Sequence, residues 1–141
     1  MPMIADNVRT QLEEILKTLS NEVTILLFTQ KEGCHFCTLA RELLEELTAL
    51  SGKLKLEIHD FAEKSDLAAK YVVDKTPAIV LIGEKDYGIR FYGIPAGHEF
   101  TALVEDLIDV SRRDPGLPKD IARELAKVNQ PVHIQVMISP S

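Results

Sequence analysis

Val23-Thr24-Ile25-Leu26-Leu27-Phe28, a short loop, and then Cys34-His35-Phe36-Cys37 decide the fold of this chain. The first six residues form an apolar run of strand length, which reads as a buried strand. After the cysteines, Leu39, Leu43, Leu44, Leu47 and Leu50 recur at helical spacing, predicting a helix over roughly 36–50. The two cysteines, the only ones present, therefore stand where a strand gives way to a helix. Unpaired N–H groups and the helix dipole at such a point stabilise a thiolate. A C-x-x-C in that setting reads as a dithiol redox site.

Working outward, residues 6–19 predict an amphipathic helix with Val8, Leu12, Ile15, Leu16 and Leu19 on one face. Beyond the dithiol helix, Leu54 to His59 alternates apolar and polar side chains as a second strand. Asp60 to Tyr71 predicts a short helix, with Ser65 as its cap. Lys75-Thr76-Pro77 leads into a third strand, Ala78 to Ile82. Turn chemistry at Gly83 to Asp86 joins it to a fourth, Tyr87 to Tyr92, as a hairpin. A helix then places Phe100, Leu103, Val104, Leu107 and Ile108 inward. This order predicts a central mixed sheet covered by helices.

Residues 112–118 read as a linker, 119–129 as a helix and Val132 to Ile138 as a strand. That helix–strand pair repeats the pattern of the chain's own start. It predicts a second unit beginning here, with an added edge strand on the first sheet as the alternative.

With 141 residues, 45% of them apolar and 27% charged, the chain holds one ordinary domain and a remainder. A formal net charge of −6 and no basic stripe argue against nucleic acid as a partner. The longest apolar segments are strand-sized, too short to cross a membrane. The start, Met1-Pro2-Met3-Ile4-Ala5-Asp6, lacks the pattern of a secretory signal, which favours a cytoplasmic location. In that compartment a vicinal thiol pair is more plausibly catalytic or metal-binding than a structural staple.

Exchange chemistry needs one thiolate to attack and a second thiol to resolve the mixed disulfide. Cys34, the more exposed position at the helix start, is expected to attack. Cys37, one turn in and more buried, is expected to resolve. His35, if protonated, would favour a neighbouring thiolate; a solvated imidazole without effect is the alternative. Phe36 is expected to pack locally or face a substrate. Thr76-Pro77 reads either as an ordinary strand start or as a cis step that opens the Thr76 main chain to a substrate and shields the thiols from metal. Zinc is the main competing chemistry, with only His35, His59, His98 and His133 left to complete a four-ligand site and none at finger spacing. His98-Glu99 reads as the first turn of the last helix, or as a polar rim of the active face.

With these features in place, the chain resembles the thioredoxin/glutaredoxin superfamily. More narrowly, it is similar to the N-terminal unit of the glutaredoxin-like protein disulfide oxidoreductases, which carry two thioredoxin-like units in tandem. The stretches Phe91 to Phe100 and Ile108-Asp109-Val110-Ser111-Arg112 carry that likeness together with Thr76-Pro77. The resemblance implies an α/β thioredoxin-like fold, a four-stranded mixed sheet flanked by helices. It divides the chain into a redox unit (1–112), a linker (113–118) and the truncated start of a second unit (119–141). It implies exchange on protein disulfides through a redox-active Cys34–Cys37 pair, with no other cofactor and no metal. Thioredoxin-reductase-like flavoproteins or peroxiredoxins are the implied partners. The chain also resembles the N-terminal redox domain of the flavoprotein that reduces alkyl hydroperoxide peroxiredoxins, which implies an electron-transfer module as the alternative. A non-enzymatic alternative is a binding module with a redox-responsive or zinc-holding clip. One departure stands out. Thioredoxins place a buried aspartate six residues before the nucleophile, where this chain has Phe28; Glu57 and Asp60 are the candidate substitutes.

Overall fold

A computed structural model describes residues 2–139. Its elements run α1 (Asp6–Leu16), β1 (Val23–Thr29), α2 (Cys37–Thr48), β2 (Leu54–Asp60), α3 (Ser65–Lys70), β3 (Ala78–Ile82), β4 (Asp86–Tyr92), α4 (His98–Arg112) and α5 (Lys119–Leu125). The strands form one sheet in the order β2-β1-β3-β4. β1 runs parallel to β2 and antiparallel to β3, and β3 and β4 make the expected hairpin.

The central position of β1 explains its nearly unbroken apolar sequence, because a strand covered on both faces has no polar side. Val23, Ile25 and Leu27 enter a large core with α1, α2 and α4. Leu26 and Phe28 point the other way, into a smaller core with Ala68, Val73, Ala78 and Val80. β2 lies at the sheet edge and alternates accordingly. Leu54, Leu56 and Ile58 join the large core, while Lys55 and Glu57 are exposed.

α3 is shorter than predicted. The Asp60 carboxylate accepts the N–H groups of Ala62 and Glu63, so residues 61–64 form a turn and Ser65 becomes the first helical residue, not the cap. The loop before β1 is tied to the end of α4. Asn21 N–H donates to Ser111 Oγ at 2.8 Å, the Ser111 hydroxyl donates to Asn21 O at 2.7 Å, and Asn21 Nδ2 donates to Ser111 O at 2.7 Å.

The C-terminal piece departs from expectation. α5 forms, but Val132 to Ile138 is not a strand, and all of residues 119–139 are exposed. A strand exists only through a partner's hydrogen bonds, and among the described residues none is offered there. Among those residues, no edge strand is added to the sheet, and α5 is the one regular element of 119–139.

Candidate redox site

β1 ends at Thr29, and Gln30 to Phe36 form the loop that carries the site. The chain cannot simply continue as strand there, because Gly33 adopts φ 73°, a left-handed turn conformation that favours glycine. Cys34 and Cys37 are joined in a disulfide, with Cα atoms 5.5 Å apart. α2 begins at Cys37, so Cys34 lies three residues ahead of the helix and Cys37 is its first residue, not one turn in. The unpaired N–H groups of that first turn still face the loop. The expected asymmetry in burial is present: Cys37 is buried and Cys34 half-buried. His35 is exposed and meets the Phe36 ring edge-on at 4.8 Å, and Phe36 itself is 44% exposed.

The Thr76-Pro77 peptide is cis. Ala78 pairs with Phe28 across the β1–β3 ladder, which sets Pro77 and Thr76 level with the end of β1. Thr76 Oγ1 donates to Gln30 Oε1 at 2.9 Å, so the Thr76 step is fastened directly to the redox loop. Pro77 O accepts the Gly93 N–H at 2.9 Å, bringing the β4–α4 turn alongside. Next door, Lys75 Nζ lies 4.2 Å from the centroid of the Tyr92 ring and 2.7 Å from Asp74 Oδ1, and its hydrogen bond to that carboxylate raises its pKa. On the opposite flank, Lys31 Nζ reaches Glu63 Oε1 at 2.8 Å, and that hydrogen bond raises the Lys31 pKa.

Phe28, in the place the resemblance gives to an aspartate, is fully buried. The residue paired with it on β2 is His59, whose ring centroid lies 5.7 Å away. Among the described residues, the buried His59 Nε2 has no hydrogen-bond partner; Glu57 Oε1 stands 3.4 Å away but is poorly aligned. Glu57 is exposed, and Asp60 is engaged in its turn. At the start of α4, burial lifts the Glu99 carboxyl above its ordinary value.

Among the described residues, no three His, Cys, Asp or Glu side chains gather as a metal site. No helix there is long and apolar enough to cross a membrane. The structure thus brings Cys34, Cys37, Thr76 and Pro77 to one end of β1. His35 and Phe36 sit on the same loop, and His98 and Glu99 open α4 beyond the adjacent turn. Sequence reasoning passed over Gln30 and Lys31, and it weighed His59 only as a zinc ligand. The signal for the first two was their place at the opening of the loop between a buried strand and the dithiol.

No family model matches the chain. It is 33% identical over 135 residues to the alkyl hydroperoxide reductase F protein of Xanthomonas campestris pv. phaseoli, covering 94% of this chain and 22% of that protein. The chain spans about a quarter of the length of the curated relatives it matches. The structure of the corresponding F protein from Enterococcus faecalis superposes with a TM-score of 0.81 at 26% identity, over 89% of this chain and 61% of the other. A protein disulfide oxidoreductase from Aeropyrum pernix superposes with a TM-score of 0.78 at 27% identity, over 87% of this chain and 54% of the other. Sheet order, the Cys34–Cys37 disulfide and these likenesses place the chain among thioredoxin-like proteins, beside the alkyl hydroperoxide reductase F proteins and the protein disulfide oxidoreductases.

Proposed function

We propose that the chain performs thiol–disulfide exchange on protein disulfides, with Cys34 attacking and Cys37 resolving. The observation that carries this reading is a C-x-x-C disulfide at the end of the central strand, half-open at Cys34 and closed at Cys37. In the reduced protein, the Cys34 thiolate attacks one sulfur of the substrate disulfide and releases the other as a thiolate. Cys37 then loses its proton and attacks the Cys34 sulfur. The substrate leaves as a dithiol, carrying two electrons and two protons, and the Cys34–Cys37 disulfide re-forms. An external dithiol or a thioredoxin-reductase-like flavoprotein must reduce that disulfide for the next turnover. His35 tunes the Cys34 thiolate, and Phe36 offers apolar contact area to the partner. Thr76 lends its main chain to an extended substrate. No further cofactor enters this scheme, and a reducing compartment such as the cytoplasm suits it.

The likeness to the alkyl hydroperoxide reductase F proteins favours a second reading, in which the same dithiol relays electrons from a flavoprotein to a peroxiredoxin. Residues 119–139, on either reading, open a second thioredoxin-like unit whose remaining strands would cover their apolar side chains. Alkylation of the reduced protein across pH tests the exchange chemistry. Cys34 is expected to react well below the ordinary thiol pKa of about 8.5, and Cys34→Ser to abolish insulin reduction. Two normally titrating thiols, with insulin reduction untouched in the variant, would end the catalytic reading.

A further inference from the structure

We infer that Gln30 is a positioning residue that holds the Thr76 main chain ready for an extended polypeptide substrate beside Cys34. The inference rests on the exchange reading above and adds the element that selects polypeptide over small disulfides. Gln30 is the first residue after β1, in the loop that leads to Cys34, and its side-chain oxygen accepts the Thr76 hydroxyl proton at 2.9 Å. The loop cannot easily carry Gln30 away, because Thr29 O accepts the Phe61 N–H at 2.7 Å and Lys31 is paired with Glu63.

On the C-terminal side of Thr76 the main chain is engaged: Pro77 O accepts from Gly93, and Ala78 lies in the β1–β3 ladder. Among the described residues, however, neither the N–H nor the C=O of Thr76 takes part in a backbone hydrogen bond. A main-chain donor and acceptor thus stand unpaired in the segment that Gln30 ties to the redox loop. An extended peptide presents its own N–H and C=O groups at matching spacing, and main-chain pairing of this kind supplies affinity without demanding a particular sequence. Fixing the Thr76 segment before the substrate arrives lowers the ordering cost of binding. A small aromatic disulfide has no main chain and gains nothing from such pairing.

The test compares steady-state reduction of insulin and of bis(nitrobenzoate) disulfide by the full chain, with dithiothreitol as reductant. Gln30→Ala is expected to raise the insulin KM about fivefold with kcat nearly held, so that preference for insulin over the small disulfide falls by about the same factor. Thr76→Val should match it, the double variant should be no worse than either alone, and Gln30→Glu, which keeps the acceptor, should restore most of the preference. An insulin KM unmoved in Gln30→Ala, multiplicative effects in the double variant, or equal losses on both disulfides would overturn the inference while leaving the exchange chemistry intact. Insulin reduction that survives Cys34→Ser would remove the exchange reading and this inference with it.

Discussion

Cys34 and Cys37 differ in exposure, and that difference sets what each variant should do. Cys37→Ser keeps the attacking sulfur and removes the resolving one, so a mixed disulfide with insulin should accumulate and be visible by mass spectrometry. Cys34→Ser should form none. His59 poses a separate question, since among the described residues its buried Nε2 has no hydrogen-bond partner. A buried polar atom left unpaired costs about 1–3 kcal/mol, while a ring of similar shape loses nothing. His59→Phe keeps the ring beside Phe28 and should therefore be neutral or stabilise the fold by about 1 kcal/mol in chemical denaturation. Cys34 and Cys37 were legible in the sequence because their chemistry is local and their flanks are periodic. Gln30 and His59 were not, because each acquires its meaning from a residue far along the chain. Thr76 reaches Gln30 across a loop, and ladder register sets His59 against Phe28.

All four strands match their expected spans to within one residue at either end, β1 and β3 through unbroken apolar runs and the edge strand β2 through its alternation. α3 was misjudged because the Asp60 turn competes with helix for the same backbone N–H groups. Between elements, Ser111 is fully buried and satisfies the Asn21 N–H and C=O. Ser111→Ala strands both groups and is expected to cost about 1–3 kcal/mol. On α2, the Met3 and Ile4 N–H groups and then Arg9 hold the Glu46 carboxyl below its ordinary value, which anchors the N-terminal segment to that helix. A carboxyl depressed by folding stabilises above its unfolded pKa, and the contribution disappears as pH falls through the folded one. Acidification from neutral to about pH 3 should therefore lower the thermal midpoint of the native chain more than that of Glu46→Gln.

At the scale of the whole molecule, the residues of both cores lie between Ile4 and Val110, and among the described residues 119–139 add none to either. Deleting 119–141 should leave the thermal midpoint within about 2 °C of the full chain, whereas a larger drop would mean that the piece packs against the unit in solution. The expectation of a strand at 132–138 rested on a sound local pattern and failed for a non-local reason: among the described residues there is no ladder for it to join. Helix 119–125 needed no such partner for its own hydrogen bonds and formed. The same exposed stretch has a consequence for handling the protein. Val132, Ile134, Val136, Met137 and Ile138 are 52–87% exposed, close together and free of charge. Such a segment is a nucleus for intermolecular cross-β association. Concentrated solutions of the 141-residue chain should scatter light on standing, and the shortened form should stay clear.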